Sequence, residues 1–135
     1  MRYLAIDPGQ KRTGLAVGDD TTALAHPLEV IQSRDPETVL QKIAKAIDCY
    51  GPDQLILGLP LNMDGTKGPA AESARKLAAR LESRFALPVH LMDERLTSFA
   101  AEQKLKQLGT KSPKTHPDAV AAAMILQDFL EQKGT

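Results

Sequence analysis

The chain opens with two short apolar runs on either side of a Pro-Gly pair, in the stretch RYLAIDPGQKRTGLAVGDD. Residues 3–6 are apolar or favour strands, and residues 13–17 return as a second apolar run, which predicts a β-hairpin. The first strand then ends at Asp7, where a buried sheet meets solvent and a carboxylate needs a counter-charge. A divalent cation is one candidate, Lys11 or Arg12 in the turn is another, and a plain turn role for Asp7 stays open.

The composition fits one soluble domain over residues 1–135, with 42% hydrophobic and 25% charged residues. No window approaches the ~18 apolar residues of a membrane span and no export signal precedes the first strand, so we expect a cytoplasmic protein. Basic and acidic residues number 17 each, so binding to nucleic acid would have to use local patches. The single cysteine, Cys49, excludes an internal disulfide and a cysteine-based zinc site.

The spacing of apolar residues predicts an α/β chain of three antiparallel strands followed by βαβα, which makes a mixed five-stranded sheet flanked by helices. Pro27 interrupts the third strand and favours an edge position or a bulge. Asp35 and Pro36 are typical of a helix start, and the apolar stripe of that helix ends with Tyr50. The predicted strands lie at residues 3–6, 13–17, 23–31, 54–59 and 87–92, and the predicted helices at 36–50, 70–85, 97–108 and 118–132.

Acidic residues stand at three ends of these elements. Asp7 ends the first strand, Asp93 and Glu94 follow the fifth, and Asp118 opens the last helix on the face that carries its apolar side chains. Carboxylates from separate elements can hold one or two Mg²⁺ or Mn²⁺ ions, and two ions ~3.5–4 Å apart support phosphodiester hydrolysis. Taken singly, the same residues also fit a turn, a solvated cluster and a helix N-cap.

Basic and polar residues near these acids are candidates for contacts with nucleic-acid phosphates. They are Lys11, Arg12, Asn62, Lys67 and Arg95. Arg95 also fits an ion pair with Asp93. His90 lies within the fifth strand, where a packed or hydrogen-bonded role is favoured over catalysis. The few aromatic residues offer no stacking platform, so recognition of backbone and shape is expected.

Four motifs, DPGQKRTGLAVGD, LILGLPLNMDGT, DERLTS and PDAVAAAMILQ, occur in this order across nearly the whole chain. In order and spacing they resemble the YqgF/RuvX family. The resemblance implies an RNase H-like fold akin to RuvC resolvases, and a nuclease that matures the 5′ end of pre-16S rRNA, with ribosomal precursor particles as partners. It also implies that Asp7, Glu94 and Asp118 are the catalytic acids, with Asp93 beside them and Glu94 favoured as the main metal ligand.

Two other functions remain open. Resolution of Holliday junctions in branched DNA has been proposed for relatives, and a ribosome-assembly factor that binds RNA without cleaving it would keep the same acids. His116, just before the last helix, departs from the basic residue usual in relatives. The first turn also resembles the phosphate loop of actin-like ATPases, but 135 residues leave no room for their second lobe.

Overall fold

A computed structural model describes residues 1–60, 64–66, 68–93 and 117–133. The predicted helix at 97–108 lies outside this part of the chain. None of the helices among the described residues combines the length and the apolarity that a bilayer crossing requires. The elements, in chain order, are β1 Arg2–Asp7, β2 Arg12–Asp19, β3 Leu24–Gln32, α1 Pro36–Tyr50, β4 Gln54–Leu59, α2 Pro69–Phe85, β5 Val89–Asp93 and α3 Pro117–Lys133.

The described strands form one mixed sheet in the order β3-β2-β1-β4-β5. The pairs β1–β2 and β2–β3 are antiparallel, whereas β1–β4 and β4–β5 are parallel. This confirms the predicted arrangement of three antiparallel strands followed by parallel ones. The fifth strand begins at Val89 rather than at residue 87, because Pro88 has no amide hydrogen for a ladder hydrogen bond.

Strand β3 is an edge strand with a bulge, whereas Pro27 had predicted either an edge position or a bulge. Leu15 of β2 pairs with Glu29, but the next residue, Ala16, pairs with Pro27, so Leu28 is the extra residue on β3. A bulge increases the local twist and bends the strand that carries it. Proline is tolerated here because an edge strand needs fewer of its amides for pairing.

Helix α1 has the ends that its sequence predicts. The Asp35 carboxylate accepts a hydrogen bond from the Thr38 amide nitrogen at 3.3 Å and another from the Thr38 hydroxyl at 2.8 Å. These bonds favour the ionised form and lower the pKa of Asp35. The helix ends at Tyr50, and the next residue, Gly51, has φ of 57°, a left-handed conformation that glycine adopts most easily. Tyr50 is 43% exposed, so the predicted apolar stripe ends before it.

Apolar layers cover both faces of the sheet. On one face, Leu4 and Ile6 pack in a cluster with Ile43 of α1 and Leu81 of α2. On the other, small residues of β1 and β2 pack against the apolar residues of α3. Full burial of a large aliphatic side chain contributes roughly 1.5–3 kcal/mol to folding. The alternation of β1 between these layers therefore fixes which face each of its side chains occupies.

A buried amide fixes the position of α3 along the sheet. Gln127 is fully buried, its Oε1 accepts a hydrogen bond from the Ala25 amide at 2.9 Å, and its Nε2 donates to the Ala23 carbonyl at 2.8 Å. A slide of the helix would leave these polar groups without partners in an apolar layer, which is costly. The register of α3, and with it the position of Asp118 at its start, is thereby held.

Candidate active site

Asp7 and Asp118 come together because Gly14 lies between their backbones. Asp7 is the last residue of β1 and pairs directly with Gly14 of β2. A Cβ atom built on Gly14 would overlap the backbone carbonyl oxygen of Asp118. Only a residue without a side chain permits this approach. The first turn of α3 therefore rests on the strand that neighbours Asp7.

Strand alternation places the Asp7 side chain on the α3 face. Ala5 and Tyr3, two and four residues earlier, pack in the cluster formed with α3, and side chains two apart on a strand share a face. Both Asp7 and Asp118 are partly exposed. Two carboxylates thus share one face and one edge of the sheet, in a place that solvent and a ligand can reach.

Asp93 lies at the same edge but on the other face. It ends β5 in register with Leu59, and Leu59 packs against Ala71 and Ala74 of α2. The preceding residue, Met92, packs in the α3 layer. Alternation therefore separates the Asp93 side chain from the α3 face, which favours the prediction of Glu94 as the main ligand of this pair. Glu94 itself lies outside the described residues.

The guanidinium of Arg12 lies at the same edge of the sheet as the two acids. Arg12 Nε donates a hydrogen bond to Asp118 Oδ2 at 3.1 Å, and the two side chains are 49% and 37% exposed. Lys11, at the tip of the hairpin, is also exposed. Both residues were predicted to contact nucleic acid, and both lie at the edge that carries Asp7. The other predicted contacts, Asn62, Lys67 and Arg95, fall outside the described part of the chain.

Carboxylates and a cation at one edge are suited to binding Mg²⁺ or Mn²⁺ together with a phosphate. Among the described residues, however, no group of three or more His, Cys, Asp or Glu side chains is placed to hold a metal ion. Asp7 and Asp118 thus lie at one edge on one face of the sheet, and Glu94, the third acid of the predicted set, lies outside the described residues.

His90 has a structural role, as predicted. Its Nε2 lies 2.6 Å from Gln54 Oε1, and its ring packs against Phe129 with the centroids 5.5 Å apart.

Sequence reasoning missed the contact between Gly14 and Asp118. A glycine inside an apolar strand is itself a signal of close backbone approach, but it does not name the partner.

The sheet order, with two acids at the edge between β1 and α3, defines the RNase H-like fold of the resolvases. A solved structure titled "T. thermophilus RuvC in complex with Holliday junction substrate" superposes with a TM-score of 0.66 at 19% identity, covering 99% of this chain and 96% of that one. More particularly, the chain belongs to the RuvX family, described as Holliday junction resolvase, whose model matches residues 1–132.

Curated relatives are similar over almost the whole chain. A protein of Thiobacillus denitrificans is 45% identical over 134 residues, covering 98% of this chain and 92% of its own length. One of Chloroflexus aurantiacus is 42% identical over 132 residues, with 96% and 86% covered. Both are named "Putative pre-16S rRNA nuclease".

Proposed function

We propose that this protein is a divalent-metal-dependent nuclease that hydrolyses phosphodiester bonds in the precursor of 16S rRNA. The observation that carries the proposal is the contact of Gly14 with Asp118, since it brings a second carboxylate to the strand beside Asp7. The family membership and the names of the relatives support the nuclease activity and its substrate.

In this proposal Asp7, Asp118 and Glu94 hold Mg²⁺ or Mn²⁺. The ion, when bound, polarises a phosphate oxygen and makes a water molecule more acidic. The residues of the chain position the reaction: Gln127 and Gly14 fix α3 against the sheet, and this holds Asp118 beside Asp7. Arg12 is exposed and bonded to Asp118, so its guanidinium can donate to a phosphate oxygen while it offsets the charge of Asp118.

Resolution of Holliday junctions is the second candidate. The description of the family and the RuvC complex favour it. Four-way junctions are symmetric, so two active sites in one assembly would be expected for this function. Precursor rRNA and a four-way DNA junction should therefore be compared as substrates at the same enzyme concentration.

Cleavage by purified protein tests the proposal. We expect Mg²⁺ to support cleavage of an RNA that spans the 5′ end of 16S rRNA, and EDTA to abolish it. Asp7→Asn should lose activity, while Asp48→Asn, which removes an exposed carboxylate of α1, should keep it. Metal-independent cleavage, or an active Asp7→Asn, contradicts the proposed site. Binding without cleavage by the parent protein would instead support an RNA-binding assembly factor.

Thermal melts of the same variants give a second test. Carboxylates held close together without a metal ion repel one another, so removal of one charge relieves the folded state. In EDTA, Asp7→Asn should melt at or above the parent's temperature, and Mg²⁺ should stabilise the parent more than the variant. A clear drop for Asp7→Asn in EDTA would mean that Asp7 has a structural role.

A further inference from the structure

A groove of about 430 Å³ opens on the sheet face opposite α3, at the edge that carries Asp7. Its volume lies in the roughly 300–1,000 Å³ range of small-molecule sites. Apolar walls come from the first turn of α1 and the first half of α2, and Thr13 of β2 also lines the groove. We call this the hairpin groove, and the lining residues that matter here are Thr13, Arg34, Pro36, Pro69, Ser73 and Leu77.

Thr13 contributes a buried hydroxyl group to the groove. The residue is only 2% exposed, and no other group in the described part of the chain hydrogen-bonds to its hydroxyl. Its side chain lies on the same face as Leu15, which belongs to the core beneath α1 and α2. A buried hydroxyl without a partner costs free energy unless a ligand or water supplies one. Thr13 is therefore placed to bind a group inside the groove.

The mouth of the groove favours an anion. Helix α2 begins after Gly68, and no side chain caps its first turn within the described residues. The amides of that turn and the helix dipole attract negative charge, and Ala70 of this turn lines the groove. Arg34 is exposed at the rim and makes no ion pair among the described residues. By contrast, the first turn of α1 is already capped by Asp35.

The groove adjoins the proposed site of cleavage. Pro8, Gly9 and Gln10 line it and follow Asp7 directly in the chain, while Thr13 precedes Gly14. The acids Asp7 and Asp118 face one side of the sheet edge and the groove faces the other. A nucleic-acid strand that crosses this edge would therefore present one phosphate to the acids and the neighbouring nucleotide to the groove.

We propose that the hairpin groove binds one unpaired nucleotide of the substrate strand, next to the bond that is cleaved. The base packs between Pro36, Pro69 and Leu77 and hydrogen-bonds to Thr13, while its phosphate meets Arg34 and the start of α2. This inference rests on the proposed function, since it assumes that the substrate strand is cleaved beside Asp7. It makes the enzyme selective for strands with an unpaired nucleotide at that position.

Thr13→Val is the test variant, because valine keeps the shape and strand preference of threonine and removes only the hydroxyl. Binding is measured by fluorescence anisotropy with a short labelled single-stranded RNA. It is repeated with a series of the same RNA in which one base at a time is removed and the backbone is kept. At one position, loss of the base should weaken binding by the parent roughly threefold to tenfold. Thr13→Val should weaken binding of the intact RNA similarly, and the two losses should not add.

Stability and charge give independent readouts. Thr13→Val should raise the melting temperature, since it removes an unpartnered buried hydroxyl. A lower melting temperature means that the hydroxyl has a partner within the fold and overturns the proposal. Arg34→Gln should weaken RNA binding, whereas Arg75→Gln, which removes an exposed charge of α2 outside the groove, should weaken it less.

The outcomes separate this inference from the proposed function. If the parent cleaves RNA but no base position is sensitive, or if the losses from Thr13→Val and base removal add, the groove proposal is wrong and the nuclease stands. If the parent binds RNA with the expected dependence on Thr13 but does not cleave it, the groove stands as a nucleotide-binding site, and the nuclease activity and the position beside a cleaved bond are both wrong. A parent that does not bind RNA overturns both.

Discussion

Replacement of Gly14 by alanine should damage the fold and the proposed site together. The new Cβ would overlap the Asp118 carbonyl oxygen, and the Ala119 amide nitrogen would lie 3.1 Å from it. These atoms are backbone, so no change of rotamer relieves the overlap, and the start of α3 has to move by on the order of 1 Å. Overpacking costs roughly 1–3 kcal/mol, and a rigid backbone partner places this case near about 3 kcal/mol.

For a chain of 135 residues, about 3 kcal/mol corresponds to a fall in melting temperature of about 10 °C. Cleavage, measured well below the melting temperature, should fall roughly 100-fold, because a displacement of this size at a catalytic group has that effect. Circular dichroism melts and a cleavage assay on the same preparations measure both quantities.

Gly51→Ala is the matched control. Gly51 has φ of 57°, and the nearest atom to a Cβ there is Arg2 Nη1 at 4.0 Å, so alanine meets backbone strain without overlap. Its cost is roughly 1 kcal/mol. It should lower the melting temperature by a few degrees and leave cleavage unchanged. A Gly14→Ala variant that matches Gly51→Ala in both measurements would refute the role assigned to the contact between Gly14 and Asp118.

Two further substitutions test residues near the same edge. Arg12→Gln breaks an exposed ion pair, so the free energy of unfolding should change by less than about 1 kcal/mol. The slope of log affinity for RNA against log salt concentration should fall in magnitude by about one. An unchanged slope would mean that Arg12 does not contact the RNA. Asp35→Ala should lower the stability of the folded protein at pH 7 and not near pH 2. The lowered pKa of Asp35 means that its stabilisation is present above the unfolded value of 3.8 and is lost as the pH falls through the folded value. Denaturant midpoints of parent and variant at both pH values measure this, and a difference independent of pH would contradict it.

Local signals were sufficient to predict most of the fold. A few neighbouring residues predict the ends of α1. They are the capping residue Asp35, the proline after it and the glycine at position 51. The same holds for β1, where an apolar run followed by Asp-Pro-Gly places a carboxylate at the end of a strand. Such signals do not depend on where the rest of the chain lies.

Contacts between distant segments could not be predicted in this way. Arg12 and Asp118 are 106 positions apart, and the sequence offered Arg12 as a partner for Asp7 or for a phosphate but not for Asp118. Gln127 was one polar residue in an apolar helix, with nothing to indicate that it binds the start of β3. Thr13 fitted an ordinary strand, since threonine is common there. That its hydroxyl has no hydrogen-bond partner among the described residues is visible only once α1 and α2 are in place.

The proline and bulge of β3 also affect how this protein meets other proteins. An exposed edge strand is a template on which another chain can add a strand, and this is a common start of aggregation. Pro27 offers no amide hydrogen to an incoming strand, and the extra residue Leu28 breaks the regular spacing that such pairing needs. The edge of the described sheet that β3 forms is thereby protected against sheet extension, and this protection does not depend on net charge, which is zero.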